Sequence, residues 1–387
     1  MRKIKAGIIT ILILLVAAFA LKVITERAKQ TTENQNIFSL NNEQTVESES
    51  HFYYDRLSDI QKEIYHKILN EIGKQPEKIK ISSSDGDDIK EALKAVSYDN
   101  PSLIGLKTNF QINPNFLKNT YVYPEYKYDY PTYSKKCTEL AEKAKEVVSG
   151  VNLQASDFEK ELYIHDWLIE HCKYVSTEDY DETHTAYGAI VDGEATCEGY
   201  ARAIQLLFNM VDIENYVVIG QAQSDTKNER HMWNVVKING EWYNLDATWD
   251  DPLSNDNKEY VNHTYFNITD TDLQKTHTAD YIADAESCTA TAENYFIKTN
   301  SFFSSFNADD KTRLASLLAV AANNGETHLE IRFSEQIYKS SVDELFSKGA
   351  LFRVIDIANV AIESNKLNSK EFIYSKTENL NAVSLIF

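Results

Sequence analysis

Apolar residues recur every three or four positions in several stretches of the chain, the spacing of helices that bury one face. The first such stretch begins at Ser58, which forms a capping box with Gln61, and it ends at Gly73. A second helix is predicted over residues 89–96. Residues 121–133 carry six tyrosines and two prolines, and this composition predicts an extended connector lying over a neighbouring domain rather than a helix.

Two further amphipathic helices are predicted in the middle of the chain. One covers residues 134–149 and is closed by Gly150, and the next begins at a capping box of Ser156 and Glu159. After residue 296 the pattern mixes helical and strand periods. The elements expected there are a helix from about residue 309 to Gly325, a strand at residues 328–333, a helix near residues 342–348 and two later strands.

A buried helix is predicted to begin at Cys197. Tyr200, Ile204 and Leu207 follow it at helical spacing, so the thiol falls in the first turn. That position lies at the positive end of the helix dipole, among amide N–H groups that have no partner within the helix. Both features favour thiolate, the nucleophilic form of cysteine, and the same amides can bind a developing oxyanion.

Asn239–Gly240, flanked by apolar and aromatic runs, is a strong signal for a two-residue β-hairpin turn. The resulting register opposes Trp233 to Asp246 and places His231 on the same face of the sheet. His231 and Asp246 are then diagonal neighbours, with Cα atoms about 7–8 Å apart. A base and an orienting carboxylate need only a nucleophile opposite them, and Cys197 can supply it.

The same residue types could also serve purposes other than nucleophilic catalysis. A buried cysteine is most often an inert small hydrophobe. Cys197 and His231 could instead ligate zinc, but no CxxC or HxxxH spacing accompanies them. Asp250 and Asp251 could bind calcium, but the Asp and Asn ladder of an EF-hand loop is missing from the sequence. Asp250 could also replace Asp246 as the orienting carboxylate, but it falls beyond the expected end of the hairpin. We therefore predict no metal site and no cofactor.

Charge, cysteine content and the lack of a repeat in the sequence argue against several classes of protein. The 387 residues include 39 Lys plus Arg and 59 Asp plus Glu, a net charge of −20, which argues against a nucleic-acid binder. Four cysteines are too few for a scaffold held together by disulfides. No repeat of fixed period is visible, so a solenoid or a propeller is not expected.

The sequence of residues 1–24 predicts the localisation of the protein. Three basic residues precede an uncharged apolar run over residues 6–21. Residues 1–24 are therefore predicted to be either a cleaved signal peptide or an uncleaved membrane anchor, and the polar residues 25–50 a disordered tether. Either alternative places the rest of the chain outside the cytoplasm, membrane-anchored or secreted.

Two stretches, AYGAIVDGEATCEGYARA and HMWNVVKINGEWYNLDATWDDP, closely resemble the transglutaminase-like superfamily, and most of all its bacterial extracytoplasmic branch. The resemblance covers roughly residues 159–270. It implies an α+β, papain-like core in which a helix-borne cysteine packs on an antiparallel sheet that carries histidine and aspartate. It further implies that Cys197 is the nucleophile, His231 the base and Asp246 the orienting acid of a Cys-His-Asp triad.

The domain organisation expected around this core has three parts. Residues 51–133 would form a helical and extended N-terminal region, residues 134–295 the transglutaminase-like catalytic domain, and residues 296–387 a small α+β domain.

Relatives with this fold take a second oxyanion donor from a side chain. Val191 occupies the position where the glutamine donor of a papain-like site would be expected. Tyr187 and His184 are therefore the nearest polar candidates for the second oxyanion donor. Trp233 is expected to shield the histidine and aspartate from water, or simply to pack.

The mechanism implied by the resemblance is thiol acyl transfer on the amides of a peptide or protein. A thioester on Cys197 would be resolved by an amine, which gives crosslinking, or by water, which gives hydrolysis. The substrate is expected outside the cytoplasm, with the cell wall among the candidates. The alternatives are a cysteine peptidase only, or a non-catalytic surface adhesion or scaffold module that retains the fold.

Overall fold

The computed structural model describes residues 51–82, 85–106, 111–115, 119–177, 179–223, 228–251, 260–282, 284–364, 366–368 and 372–387. The predicted signal peptide or anchor at residues 1–24 and the predicted tether at residues 25–50 lie outside these ranges. Within them, no helix combines the length and the apolar character that crossing a membrane requires.

Helices and strands are interspersed along the described part of the chain, where the strands form three sheets and one short pair. The α-helices are α1 (Phe52–Asp55), α2 (Asp59–Ile72), α3 (Gly86–Asp99), α4 (Tyr130–Ser149), α5 (Asp157–His171), α6 (Cys197–Asn209), α7 (Ala247–Asp250), α8 (Asp270–Leu273), α9 (Tyr295–Lys298), α10 (Ala308–Asn324), α11 (Tyr338–Val342) and α12 (Ala350–Ala361). The strands are β1 (Ile79–Ile81), β2 (Gln111–Asn115), β3 (Asn119–Tyr123), β4 (Lys173–Tyr174), β5 (Glu194–Ala195), β6 (Asn215–Gln223), β7 (Asn228–Ile238), β8 (Glu241–Leu245), β9 (His277–Ala279), β10 (Phe302–Phe303), β11 (His328–Phe333), β12 (Ile373–Thr377) and β13 (Ala382–Ile386).

The N-terminal region combines α1–α3 with a three-stranded antiparallel sheet of order β1-β3-β2. The capping box of Ser58 and Gln61 is present, and α2 ends at Gly73 as the sequence predicts. The extended connector predicted over residues 121–133 is only partly correct. Strand β3 ends at Tyr123, but α4 begins at Tyr130, because Pro131 lies in the first helical turn, where its missing N–H costs nothing.

A four-stranded antiparallel sheet of order β8-β7-β6-β9 carries the middle of the chain, and α6 packs against β7. The N-terminal region is fixed to this sheet by direct bonds. Tyr53 Oη donates to the Val217 carbonyl at 2.7 Å, and Arg202 of α6 donates to the Ser97 carbonyl at 2.8 Å. Ala201, on the same helix, is buried in the apolar cluster of that region.

The C-terminal part packs α10–α12 on a four-stranded sheet of order β10-β11-β13-β12. The predicted helix up to Gly325, the strand β11 and the two later strands are present. The helix predicted near residues 342–348 is present as a π-helical segment, Asp343–Ser347, which continues directly from α11. Helix α12 was not predicted, although its buried Leu351, Val354 and Ile355 have helical spacing.

Candidate active site

Cys197 opens α6, as its spacing from the following apolar residues predicts. Thr196 precedes it in extended backbone and makes no side-chain cap, and its hydroxyl donates to the Thr183 carbonyl oxygen at 3.3 Å. The helix can approach that segment only because residue 199 is glycine. A Cβ there would lie 2.3 Å from the Thr183 carbonyl oxygen. The thiol is left partly exposed at the start of an otherwise buried helix.

His231 on β7 bonds to Asp246, which lies just beyond the end of β8. The hairpin has the predicted register, with Ile238 paired to Glu241, and the pairing ends at Leu245. Asp246 then leaves the sheet and becomes the N-cap of α7. His231 Nε2 lies 2.7 Å from Asp246 Oδ2. The predicted meeting of these two side chains therefore occurs, although Asp246 reaches it from a helix cap.

The electrostatics of the site keep this pair charged. Burial opposes protonation of His231, but the charge and hydrogen bond of Asp246, with a further contribution from the side chain of Cys197, raise the pKa of His231 to about 10. Burial also opposes ionisation of Asp246, and its two histidine neighbours overcome this, so the pKa of Asp246 falls well below its usual range. Because Nε2 faces Asp246, Nδ1 is the ring nitrogen left for Cys197.

A second histidine, His277, was not predicted from the sequence. It lies on the edge strand β9, which pairs with β6. Its Nε2 is 3.0 Å from Asp246 Oδ2, the same oxygen that contacts His231. In the sequence this segment shows only a histidine flanked by Thr276 and Thr278, and such a short strand has too little alternation to be recognised.

Trp233 and Tyr187, the two supporting residues of the prediction, lie in different surroundings. Trp233 is buried, its ring stacks at 19° to that of His231 with centroids 6.3 Å apart, and its Nε1 donates to Asn244. Tyr187 instead donates its hydroxyl to Glu139 of α4 at 2.9 Å, so that proton already has an acceptor. His184 contacts Thr183 and Asp181. The oxyanion role of Tyr187 and the shielding role of Trp233 stay predictions.

Asp250, the competing carboxylate, belongs to a separate buried network at the other end of α7. Its Oδ2 lies 3.4 Å from His165 Nε2. Asp166 Oδ1 lies 2.9 Å from His165 Nδ1 and 3.0 Å from His263 Nε2. His263 Nδ1 in turn lies 2.7 Å from Glu330 of β11. The network links the middle of the chain to the C-terminal sheet, and burial raises the pKa of Asp250 to about 6 against the opposing effect of His165.

Two trios of side chains among the described residues have donor atoms close enough to hold a metal ion. They are His165, Asp166 and His263, and His231, Asp246 and His277. In each trio the histidine nitrogens already contact the carboxylate at hydrogen-bond distance. The carboxylate oxygen of each trio is thus within hydrogen-bond distance of both histidines without an ion, and the expectation of no metal site stays a prediction.

Part of the chain that contains these residues is similar to a known protein family. Residues 141–247 match the family model of the transglutaminase-like superfamily, a range that contains Cys197, His231 and Asp246 but not His277. The predicted resemblance and the α+β fold class are confirmed. No curated protein matches the chain.

Three solved structures are similar at low identity. One is a candidate cysteine protease from Cytophaga hutchinsonii, with 14% identity, a TM-score of 0.25, and coverage of 36% of this chain and 61% of that chain. Another is described as a TGase, with 16% identity, a TM-score of 0.26, and coverage of 51% and 57%. The third is menin, whose structure reveals the binding site for the Mixed Lineage Leukemia protein, with 12% identity, a TM-score of 0.23, and coverage of 61% and 49%. The chain thus spans less than two thirds of the length of each.

Proposed function

We propose that the transglutaminase-like domain at residues 141–247 catalyses acyl transfer from an amide of a peptide or protein through a thioester on Cys197. One observation supports this most strongly. His231 bonds to Asp246 through Nε2, and this leaves Nδ1 for a thiol at the start of α6. A nucleophile, a base and an orienting acid in this relation are the parts that cysteine acyl transfer requires.

The reaction proceeds in two halves. The Cys197 thiol gives its proton to His231, and the thiolate attacks the amide carbonyl carbon while amides of the first turn of α6 stabilise the oxyanion. The imidazolium of His231 then protonates the leaving amine as the C–N bond breaks, and a thioester remains. In the second half an incoming amine or water loses a proton to His231, attacks the thioester and releases Cys197 as a thiol.

We also propose that the protein works outside the cytoplasm, either attached by its N-terminal segment or secreted. The support is the basic and apolar sequence of residues 1–24. The state of the two buried cysteines is compatible with an oxidising compartment. Burial raises the pKa of Cys172 to about 12 and also raises the pKa of Cys288, so neither thiol ionises readily toward oxidation.

The activity is tested by incubating the purified protein with a glutamine-containing peptide and a fluorescent primary amine. We expect covalent amine incorporation, release of ammonia, or cleavage of the peptide, each dependent on Cys197. Incorporation identifies a transferase, and cleavage without incorporation identifies a peptidase. A protein that catalyses none of these across a peptide library, and whose Cys197 variant behaves identically, would instead be a non-catalytic module of this fold.

The pH dependence of kcat/KM provides a separate prediction. Because Asp246 raises the pKa of His231 to about 10, the imidazolium that protonates the leaving amine persists through neutral pH. Activity should therefore fall as pH rises through about 10, rather than near 6.5, the usual pKa of histidine. A rate profile of the wild-type enzyme measures this directly. A basic limb near 6.5 would show that His231 is not paired as the structure indicates.

A further inference from the structure

We propose that His277 is a positioning residue of the active site, which donates from Nε2 to Asp246 and holds that carboxylate in the orientation that His231 requires. This inference rests on the proposed function. It extends the site by one residue that lies outside the range matched by the family model. His277 would not touch the substrate. It would act through Asp246.

The first support is the set of partners that the described residues place around the Asp246 carboxylate. Oδ1 lies 3.0 Å from the Thr248 amide nitrogen and 3.2 Å from that of Trp249. Oδ2 lies 2.7 Å from His231 Nε2 and 3.0 Å from His277 Nε2. An ionised carboxylate has about four acceptor positions. All of them are therefore occupied, and the group has no freedom to rotate without losing a bond.

The second support is that the protonation of both Nε2 atoms follows from their partner. An ionised carboxylate accepts hydrogen bonds and cannot donate one. Nε2 of His231 and Nε2 of His277 must therefore each carry a proton. For His231 this leaves Nδ1 as the atom that exchanges a proton with Cys197. His277 thus shares the oxygen that fixes the tautomer of the catalytic base.

The third support is the way His277 is held. Its strand pairs with β6, and a Cβ on Gly220 of β6 would lie 2.2 Å from the Thr278 carbonyl oxygen. The His277 ring packs against Trp249, with centroids 4.6 Å apart, and Nδ1 lies 2.8 Å from Thr276 Oγ1. A hydroxyl can donate or accept, so Thr276 can partner Nδ1 while Nε2 still donates to Asp246.

Two substitutions separate the hydrogen bond of His277 from its packing. His277→Phe keeps a ring against Trp249 but removes the donor. His277→Gln removes the ring but keeps an amide N–H close to the position of Nε2. We expect His277→Phe to lower kcat by about 10- to 100-fold, by analogy with the loss that follows removal of the hydrogen-bond partners that orient metal-binding side chains, with little change in KM. His277→Gln should recover most of that loss, although it should be the less thermally stable variant of the two.

A purely structural role predicts the opposite order, because activity would then follow stability. A phenylalanine variant as active as the glutamine variant, or more active, would overturn the proposal. Should either variant fail to fold, a third variant, Thr276→Val, tests the positioning role instead. It removes the partner of Nδ1 without touching Asp246, and kcat should fall by a smaller factor with KM preserved, whereas an unchanged kcat would contradict a positioning role.

The same comparison can be made without a substrate. The rate at which iodoacetamide alkylates Cys197 depends on its ion pair with His231. We therefore expect alkylation to be fastest in the wild-type protein, slower in His277→Gln and slowest in His277→Phe. If the wild-type protein turned over no amide, the proposed function would fail. The role of His277 would still be decided by whether His277→Gln alkylates faster than His277→Phe, and equal rates would reject it.

Discussion

Replacing Cys197 with alanine is expected to lower turnover by at least about 10⁴-fold, because the three residues of the proposed triad would act as a unit and its nucleophile would have no substitute. The protein should remain folded. The side chain of Cys197 is partly exposed at a helix start and belongs to none of the buried apolar clusters of the described residues. Steady-state rates and thermal unfolding of the two proteins measure both expectations.

Cys137→Ala is the matched control for this change. Cys137 also has intermediate exposure, but it lies on α4. Its replacement should leave turnover within a few-fold of wild type. His231→Ala should be nearly as inactive as Cys197→Ala, and the double variant should be no worse than either single one. A Cys197→Ala protein with full turnover would disprove the proposed chemistry.

Asp246→Asn is expected to produce the second large loss, about 10⁴-fold in kcat. Oδ1 of the new side chain can still accept from the amides of Thr248 and Trp249, so the amide NH₂ must face His231 Nε2. Two donors cannot bond each other. His231 would then carry its proton on Nδ1, the nitrogen that should receive the proton of Cys197.

Asp250→Asn distinguishes the two candidate acids. Asp250 lies at the other end of α7, accepts from the Tyr265 amide at 2.8 Å and faces His165 rather than His231. Its replacement should alter thermal stability more than turnover. The comparison can use any substrate that the enzyme processes. If Asp250→Asn were the more damaging to kcat, the assignment of Asp246 as the orienting acid would have to be abandoned.

The parts of the site that could be predicted from sequence depend on local signals. The Asn239–Gly240 turn determines which residues of β7 and β8 face each other, and the register it predicts is present from Ile238 to Asn234. Likewise, the apolar spacing after Cys197 predicts that α6 begins there. Both signals span only a few residues, so neighbouring side chains are enough to interpret them.

What could not be predicted depends on contacts between distant segments. His277 reaches Asp246 only because the three-residue strand β9 adds to the edge of β6, more than fifty residues earlier in the chain. The hydrogen bonds from His263 to Asp166 and Glu330 join segments that are also far apart in sequence. No periodicity encodes such pairings, and a lone histidine in a polar stretch gives no sign of its partner.

Selective alkylation of the native protein tests the central claim most directly, namely that Cys197 is an activated nucleophile paired with His231. An ordinary thiol is only about 0.1% ionised near pH 5.5, so iodoacetamide at that pH should modify Cys197 on the order of 100-fold faster than Cys137. Peptide mapping by mass spectrometry gives both rates in one sample. The advantage should vanish in His231→Ala. If Cys197 and Cys137 were modified at equal rates in the wild-type protein, Cys197 would not be the nucleophile of an active triad.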